Sequence, residues 1–500
     1  MELKLLELVK QMPDARVQGD VNVEITGISM HSQHVRPGDL FVCVPGIPGL
    51  QEDRHPYAGA AARAGAVAIV AERDVDAEVP VIRVPSARLA MAMMAAHLNG
   101  HPSRSLKLIG VTGTNGKTTT CHMIEAILAH AGHRTGLMGN LGTKIGSESQ
   151  ETKINTQDPP QLQANLRRMR DDSVEYAVME ASSQGLHMSR VQACSFRAAV
   201  FTNLTQDHLD YHGTMEAYLD AKAILFRQLG SEPGPTSESS PKPYAVLNAD
   251  DPASVYLRRQ TAGHVEVRTY GFAEEADVRA AEVELTAQGT RFELQSWKGS
   301  FPIVLPMVGR FNVSNALAAI TVALMEDVPL PVIREGMERF SGVPGRMEII
   351  DAGQPYLVLA DYAHSPDGLE KALSTLREFA RGKVLTVFGC GGQRDRAKRP
   401  VMGEVVARYS DIVVATSDNP RKEDPHQILA DIEEGFRNAG YTAYELIENR
   451  RDAIGRAIRL AAPGDIVLIA GKGHETYQIG PEGTVHFDDR EEARIAMLWR

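Results

Sequence analysis

The segment "GTNGKTT" from Gly113 to Thr119 has the residue types that bind a chain of phosphates. It follows the apolar run "LKLIGVT" and opens a helical pattern, so backbone N–H groups at a helix N-terminus would face the phosphates. Lys117 would supply a positive charge, and the Thr118 hydroxyl could ligate Mg2+. The usual loop carries a glycine where Val111 stands here. A simple glycine turn with a surface lysine is the alternative, but the G-K-T-T string favours a nucleoside triphosphate site.

Two further side chains could hold a metal ion, because each follows an apolar strand pattern. Glu180 ends the run "EYAVME", and His208 lies in "TNLTQDHLDYHG". Mg2+ prefers oxygen ligands, so the glutamate fits it better than the histidine. Each residue taken alone could instead be structural, as a capping carboxylate or a satisfied loop histidine. Their shared position after strands favours a functional role.

The elements that must position these residues alternate along the chain. Short β-branched runs are followed by helical patterns almost throughout, which predicts an α/β fold with parallel sheets whose ligands bind at the carboxyl ends of the strands. The Gly/Pro/Ser-rich stretches "NGHPSRS" and "SGVPGR" predict domain boundaries. We therefore expect three domains, at residues 1–101, 102–343 and 344–500. The stretch Gly230–Pro243 is expected to form a surface loop of the middle domain.

Composition excludes several classes of function. Of the 500 residues, 43% are apolar and 23% charged, as in an ordinary globular protein, and the net charge of −11 gives no general attraction to nucleic acid or anionic membranes. The four cysteines are far apart and form no C-x-x-C pair, so neither a zinc site nor a disulfide framework is indicated. Neither a signal peptide nor a membrane helix is predicted. We expect a cytoplasmic monomer with small-molecule substrates.

A set of motifs, in order along the chain, together resembles the Mur ligase family, and within it the MurE type. The resemblance runs from about Ser29 to the C-terminus. These ligases share a G-T-x-G-K-[ST] loop, which accounts for the unusual spacing. The motifs are "GTNGKTTT", "MEASSQGL", "TNLTQDHLDYHGTMEAYLDAKAILF", "GRFNVSNALAA", "GVPGRME", "DYAHSPDGLEKAL", "FGCGGQRDRAKRP", "SDNPRKEDP" and "GKGHE".

The resemblance implies a fold and a reaction. An N-terminal domain would hold the UDP end of the substrate, a central P-loop ATPase-like domain would hold ATP and Mg2+, and a Rossmann-like C-terminal domain would bring in the amino acid. The expected reaction adds meso-diaminopimelate to the D-glutamate of UDP-N-acetylmuramoyl-L-alanyl-D-glutamate. A carboxylate is a poor electrophile, so the γ-phosphoryl of ATP would first convert it to an acyl phosphate. Positioning and charge neutralisation are most of what such an enzyme must provide.

The resemblance also assigns residues to ATP and the metal. The residues implied for ATP are Gly113, Thr114, Asn115, Gly116, Lys117, Thr118, Thr119, Asn312, Arg346 and Asp361. The catalytic set is Lys117, Glu180, His208 and Lys222, and the Mg2+ ligands are Thr118, Glu180, His208 and Lys222 as N6-carboxylysine. An unmodified ammonium cannot ligate a metal, whereas a carbamate offers oxygens. Without the resemblance, Lys222 reads as a solvated helix residue.

Two further sets are implied for the other substrates. The UDP substrate would meet Ser32, Thr156, Gln157, Ser182 and Arg190. Diaminopimelate would meet Arg394, Asp418, Asn419, Pro420, Arg421, Gly471 and Glu475. Without the family, "DNP" reads as a turn and Arg421 with Lys422 as surface charge. The chain also departs from the family pattern: "HSQ" at His31 to Gln33 replaces a frequent D-S-R, Gln157 replaces a threonine, and Met188 stands where some members have glutamine.

Two other functions fit part of the sequence. Folylpolyglutamate synthetase shares the ATP-handling core, but it should lack the long N-terminal domain and the "DNPR" cluster. A P-loop switch or motor would use the phosphate loop, but it leaves the C-terminal cluster of Arg394, Asp418, Arg421 and Glu475 without a role.

Overall fold

The computed structural model describes residues 3–12, 14–48, 51–152, 154–230, 242–286 and 289–499. The predicted α/β class is confirmed. The chain divides into two units, Met1–Arg279 with Leu317–Ile333 and Ala280–Ala316 with Arg334–Arg500. The first unit contains the predicted N-terminal domain and most of the predicted central domain, so the three-domain division stays a prediction. Most of the predicted loop Gly230–Pro243 lies outside the described residues.

The N-terminal part of the first unit is a small α/β layer structure. Its sheet has the order β2-β7-β6-β5-β4, parallel except for β2, and β1 pairs with β3. Alternate residues of β5 and β6 pack against α3 on one face and α2 on the other, which is why both strands are apolar apart from Asp39 at the start of β5. The elements are β1 (Leu3–Lys4), α1 (Leu5–Val9), β2 (Arg16–Gln18), β3 (Glu24–Ile25), β4 (Gly27–Ser29), β5 (Asp39–Val42), α2 (Ala58–Arg63), β6 (Ala68–Ala71), β7 (Val81–Arg83) and α3 (Ala87–Leu98).

The rest of the first unit is built on a larger sheet. Within this unit its order is β11-β10-β9-β12-β8-β13-β14-β15 followed by the first two residues of β16, whose residues from Ala280 belong to the second unit; the strands are parallel from β9 to β16, with β10 and β11 antiparallel at one edge. The elements are β8 (Lys107–Thr112), α4 (Lys117–His130), β9 (Thr135–Gly139), β10 (Gly142–Ile145), β11 (Glu148–Gln150), α5 (Pro159–Asp171), β12 (Tyr176–Glu180), α6 (Ser183–His187), β13 (Ala198–Phe201), α7 (Leu209–His212), α8 (Met215–Arg227), β14 (Tyr244–Asn248), α9 (Ala253–Gln260), β15 (Glu266–Gly271) and β16 (Val278–Thr286).

The second unit has a six-stranded sheet of order β19-β20-β24-β21-β22-β23, parallel except for β19, and two hairpins, β17–β18 and β25–β26. The elements are β17 (Gly289–Ser296), β18 (Gly299–Leu305), α10 (Arg310–Met325), α11 (Leu330–Glu338), β19 (Glu348–Ile349), β20 (Leu357–Asp361), α12 (Pro366–Phe379), β21 (Val384–Phe388), α13 (Lys398–Tyr409), β22 (Ile412–Ala415), α14 (Pro425–Asn438), β23 (Tyr444–Leu446), α15 (Arg450–Leu460), β24 (Ile466–Ala470), β25 (Tyr477–Gly480), β26 (Gly483–His486) and α16 (Asp489–Leu498).

A late segment of the chain, Leu317–Ile333, completes the first unit, so α10 and α11 each lie partly in both units. Glu326, at the end of α10, has a buried carboxylate that accepts hydrogen bonds from the Tyr176 hydroxyl (2.9 Å) and from Arg197 Nε (2.8 Å). Both donors lie at the starts of central strands, β12 and β13. In the described part of the chain no helix combines the length and apolar composition that a bilayer crossing requires.

Helices α13 and α14 cross in close contact through two glycines. A side chain at Gly435 would collide with the carbonyl oxygen of Pro400, and one at Gly403 would collide with that of Ile432. Both obstacles are backbone atoms, which cannot rotate away. The absence of a side chain at these positions therefore sets the distance between the two helices.

We expect Gly435→Ala to destabilise the protein by about 1–3 kcal/mol, because the added methyl must push the two helices apart. Chemical denaturation of the full chain measures this change. Gly455→Ala in α15 is the matched control: its methyl would meet only the flexible end of Arg459, so helix propensity should make it neutral or stabilising. Equal stability of the two variants would show that the crossing is not tight.

Candidate functional site

The loop from Gly113 to Gly116 connects β8 to α4 and requires glycine at both ends. Gly113 has a φ of 149°, and a side chain there would collide with the Thr202 hydroxyl. Gly116 has a φ of 85° and precedes the first residue of α4. Val111, which breaks the usual spacing, lies inside β8 between Glu180 of β12 and Val200 of β13. The glycine comes late because the strand continues to Thr112.

The segment after β13 holds this loop in shape. The Asn115 N–H donates to Asn203 Oδ1 (3.0 Å), and Asn203 Nδ2 donates back to the Asn115 carbonyl (3.1 Å). The Thr202 hydroxyl donates to the same carbonyl at 2.6 Å. The loop is therefore preorganised by the side chain of Asn203. Sequence reasoning did not select this residue, although it lies in the same motif as the predicted His208.

Lys117 is the cation of the loop. Its Nζ donates to the carbonyls of Gly113 (2.9 Å) and Thr114 (2.8 Å), so the side chain curls over the loop at the start of α4. This position is the one that a phosphate-binding lysine requires.

Thr118 and Glu180 meet below the loop. The Thr118 hydroxyl donates to Glu180 Oε1 (2.9 Å), as does the backbone N–H of Asn140 (2.8 Å). Glu180 Oε2 is buried and has no hydrogen-bond partner among the described residues. A hydroxyl and a carboxylate oxygen form a donor set that suits Mg2+. Within the described ranges no three His, Cys, Asp or Glu side chains form a metal cluster, so phosphates and water would have to supply the other ligands.

A cavity of about 570 Å³ lies beside the loop. Three of the four predicted catalytic residues, Lys117, His208 and Lys222, line it, and Glu180 lies behind it with Thr118. His208 has a φ of 52° and its Nε2 lies 3.6 Å from Asp207 Oδ2; burial lowers its pKa. The lining residues are Met30, His31, Gln51, Glu52, Arg54, Gly113, Lys117, Ile154, Asn155, Thr156, Ser182, Ser183, Gln184, Met188, Arg190, His208, Tyr218 and Lys222.

Lys222 is not the solvated residue that its position on α8 indicates in isolation. Its side chain is 1% exposed, and Nζ lies 4.0 Å from the centre of the Tyr218 ring. Burial, and secondly the charge of Lys117, hold the pKa of Lys222 well below its ordinary value, while Asp207 acts in the opposite direction. The surface interpretation is wrong because an α8 residue facing the cavity is covered by the loops around it.

Three residues predicted for the UDP substrate line the cavity: Thr156, Ser182 and Arg190. The Thr156 hydroxyl donates to the Glu180 carbonyl (2.9 Å), and Arg190 Nη1 donates to the Thr156 carbonyl (2.7 Å) while Nε pairs with Asp158 (2.9 Å). Ser182 caps α6 by accepting from the Gly185 N–H. These contacts join the end of β12 to the cavity wall.

Two other residues predicted for this substrate, Ser32 and Gln157, are not among the described residues that line the cavity. Gln157 is buried, and its side chain donates to Thr143 Oγ1 (2.8 Å) and accepts from Asn165 Nδ2 (2.7 Å). Ser32 lies in a 3-10 turn next to His31, which does line the cavity.

The predicted amino-acid residues of the second unit meet at strand ends. Asp418 to Arg421 follow β22, and Gly471 to Glu475 follow β24. Asn419 Nδ2 donates to Glu475 Oε2 (3.0 Å), and a fully buried residue that sequence reasoning missed, Lys472, donates to Glu475 Oε2 (3.1 Å) and to Asn419 Oδ1 (3.2 Å).

Arg421 is fixed rather than free on the surface. Its φ is 57°, its N–H donates to the Ile479 carbonyl (2.9 Å), and Nη1 donates to the Gly392 carbonyl (2.8 Å). A side chain at Gly392 would also collide with the Pro420 carbonyl, so this loop packs against the loop after β21. Arg394, in the same loop as Gly392, is exposed.

Two buried arginines brace these loops. Arg399 makes two 2.8 Å hydrogen bonds to Glu423 and one to Asp431. Arg450 pairs with Asp489, both fully buried, and donates to the carbonyl of Ala470 at the end of β24 (3.0 Å). Arg399 lies in the motif "FGCGGQRDRAKRP" and Arg450 in none of the motifs, but the burial of either arginine could not be predicted, because a buried ion pair depends on partners that are distant in sequence.

Three more residues were predicted for ATP. Asp361, at the end of β20, accepts from the N–H groups of Met347 (2.7 Å) and Ala363 (2.8 Å), and burial raises its pKa. Arg346 stacks on Tyr362, 4.6 Å from Cζ to the ring centre. Asn312 lies near the start of α10, where its buried Nδ2 donates to the Val308 carbonyl (2.9 Å).

Comparison with known proteins gives matches over nearly the whole chain. The model of the Mur ligase middle domain matches residues 111–323, and that of the Mur ligase, glutamate ligase domain matches residues 345–473. A UDP-N-acetylmuramoyl-L-alanyl-D-glutamate--2,6-diaminopimelate ligase from Geobacillus thermodenitrificans is 49% identical over 498 residues, covering 100% of both chains. A ligase of the same name from Bacillus licheniformis is 49% identical over 495 residues, which cover 99% of this chain and 99% of the relative. A solved structure under the same name is similar with a TM-score of 0.72, at 33% identity over 100% of this chain and 99% of that one.

We expect Asn203→Ala to weaken binding of a nucleoside triphosphate about 10-fold, because the loop loses two hydrogen bonds that preorganise it. Calorimetric titration with a non-hydrolysable ATP analogue measures the change. Asn438→Ala, which removes an exposed bond to Glu404, is the control and should bind as wild type does. Unchanged affinity in the Asn203 variant would contradict this role.

Proposed function

The chain belongs to the Mur ligase family, and from that membership we propose that it uses ATP to add meso-diaminopimelate to the D-glutamate of UDP-N-acetylmuramoyl-L-alanyl-D-glutamate, in peptidoglycan precursor synthesis. The observation that carries the proposal is the 49% identity over the full length of a relative named for this reaction. Coverage of both whole chains also disfavours folylpolyglutamate synthetase, which should lack the N-terminal domain.

The first chemical step transfers the γ-phosphoryl group of ATP to the D-glutamate carboxylate, giving an acyl phosphate and ADP. The loop from Gly113 to Thr119 would bind the phosphates with its N–H groups and the N-terminus of α4. Lys117 would exchange its two carbonyl partners for phosphate oxygens, which carry more charge. The amine of the incoming amino acid then attacks the acyl carbon, and phosphate leaves through a tetrahedral intermediate.

Thr118 and Glu180 fit a Mg2+ ion, since a buried carboxylate oxygen of Glu180 lacks a hydrogen-bond partner among the described residues. Bound Mg2+ would neutralise part of the charge on the phosphates. Lys222 and His208, both on the cavity, are the other proposed ligands. The buried amine of Lys222 supports carboxylation, because an uncharged amine adds to the carbon of CO2 and loses a proton to give a carbamate.

The amino-acid end is proposed to bind at the strand ends of the second unit. Diaminopimelate differs from lysine by a second ammonium–carboxylate centre. Arg421, together with Arg394 of the loop after β21, would pair with the distal carboxylate, and Glu475 would pair with the ammonium. The contacts that Glu475 makes with Lys472 and Asn419 use its Oε2 atom, which leaves Oε1 for the substrate. The remaining proposed contacts are Asp418, Asn419, Pro420 and Gly471.

The location and the oligomeric state of the enzyme form part of the proposal. We propose a cytoplasmic monomer that acts on small molecules alone. The net charge of −11 supports this view, because it gives no attraction to nucleic acid or to anionic lipid.

In a phosphate-release assay, turnover should require both the UDP-muramoyl dipeptide and an amino acid. In competition, meso-diaminopimelate should be preferred to L-lysine and L-ornithine by several orders of magnitude, because lysine leaves the arginine unpaired. Arg421→Ala should lose most of this preference, and Lys422→Ala, its exposed neighbour, should retain it.

Phosphate release that needs neither substrate would indicate a switch or motor and reject the ligase. Comparable use of lysine by the wild type, or unchanged diaminopimelate kinetics in Arg421→Ala, would reject the specificity assignment alone.

We expect Lys222→Ala to be inactive, with activity partly restored by added formate or acetate, because a small carboxylate can replace the carbamate oxygens. Mass spectrometry under CO2 with trapping of the carbamate provides a second measurement. Lys117→Ala is the matched control: it loses a cation rather than a ligand, costs on the order of 100-fold or more in kcat, and carboxylates should not rescue it. Full activity of Lys222→Ala without additive would refute the assignment.

A further inference from the structure

Arg54 lines the cavity, although neither the motifs nor the family resemblance assigned it a role. It lies in the stretch "QEDRHPY", on the N-terminal side of the cavity together with Met30 and His31. The opposite side of the cavity carries Lys117 and Lys222, where the reacting carboxylate would be phosphorylated.

The neighbours of Arg54 fix its backbone. The Asp53 carboxylate accepts from the His55 N–H (3.0 Å) and lies 2.6 Å from His55 Nδ1, and it also pairs with Arg73. His55 Nε2 accepts from the Glu72 N–H at 3.1 Å. The Arg54 N–H itself donates to the carbonyl of Val44, just after β5 (3.0 Å). The residues on both sides are thus tied into the domain, and the position of Arg54 is set before any ligand binds.

The guanidinium of Arg54, in contrast, has only weak partners, one of which is the Tyr57 ring, whose centre lies 5.9 Å from Cζ. Its Nε is buried and meets no acceptor among the described residues. Nη1 lies 3.3 Å from Glu52 Oε2, but the Glu52 side chain is 63% exposed, and such a surface pair is worth little. The side chain of Arg54 is only 19% exposed, so its charge is partly removed from water without strong compensation. This arrangement favours an anionic ligand.

His31 adds to this argument. It lines the same cavity as Arg54. Burial, and secondly the charge of Arg54, lower the pKa of His31, which favours the neutral ring beside the guanidinium. An aspartate at this position would compete with an anionic ligand for the same arginine.

We propose that Arg54 binds the diphosphate of the nucleotide-sugar substrate. This inference rests on the proposed function and adds a residue to it. The diphosphate is the anion expected at this end, because the dipeptide carboxylate must reach Lys117 while the UDP end remains on the N-terminal domain. A guanidinium can donate two parallel hydrogen bonds to phosphate oxygens.

The test compares steady-state kinetics of wild type, Arg54→Gln and Arg54→Lys. Arg54→Gln should raise KM for the UDP-muramoyl dipeptide about 10- to 100-fold, with kcat at saturation nearly unchanged, because the contact is made equally in the ground and transition states. The inhibition constant of UDP, used as a competitive inhibitor, should rise by a similar factor. KM for ATP and for diaminopimelate should not change. Arg54→Lys keeps the positive charge but loses the two parallel N–H donors of the guanidinium, so its KM for the dipeptide substrate should be intermediate.

Arg83→Gln is the matched control. Arg83 is the last residue of β7 in the N-terminal sheet, and it pairs with the exposed Asp74. A purely structural role for Arg54 would lower kcat or the melting temperature instead of changing one KM. An unchanged KM in Arg54→Gln overturns the inference, and so does a raised KM with an unchanged UDP inhibition constant. Those results leave the ligase proposal standing, whereas a wild type that neither binds UDP nor uses the dipeptide rejects both. If Arg54→Gln does not fold, Arg54→Lys decides.

Discussion

The constraint on which the catalytic side of the first unit depends is the close approach of two backbone segments at the carboxyl edge of the central sheet. β8 lies between β12 and β13, so the loop after β8 must pass within contact of the segment after β13. Only glycine fits at Gly113, where any side chain would overlap Thr202. The same proximity lets Asn203 bond both backbone groups of Asn115. The phosphate loop is thus shaped by the neighbouring strand end as well as by its own two glycines.

The strand-end residues of the second unit are held in place by charged groups, whereas the loop of the first unit is held in place by close backbone contact. The charge of the fully buried Lys472 is compensated by Glu475 and by the side-chain oxygen Oδ1 of Asn419. A cation, an anion and an amide therefore lie together at the ends of β22 and β24. Removing any one of them would leave an unpaired polar group in a poorly solvated place. Such a network holds its members in one geometry, which a site that distinguishes two similar amino acids requires.

The sequence predicted the fold class and the strand-end placement of the motifs, because parallel strands covered on both faces are apolar along their whole length. It predicted Lys117, Thr118 and Glu180 as neighbours, since a phosphate loop and a strand-end carboxylate have local signatures. It could not predict the burial of Lys222 or of Lys472, because a lysine in a helix or a loop has no local sign of what covers it. Arg399 and Arg450 escaped for a related reason: their partners Glu423 and Asp489 are 24 and 39 residues away. Arg54 carries no local signal, because it stands among the charged and polar residues of "QEDRHPY", and its position has meaning only beside the cavity.

The carboxylate of Glu326 has a consequence for how the chain is made. Its donors, Tyr176 and Arg197, emerge from the ribosome more than a hundred residues earlier, as does the strand framework that contains them. Synthesis proceeds at about 5–20 residues per second, so the nascent first unit waits on the order of ten seconds for its last buried partner. Until then a guanidinium and a phenol destined for burial face solvent, and residues 280–316, which belong to the other unit, must be synthesised in the interval. The first unit therefore cannot finish folding in simple order from the N-terminus.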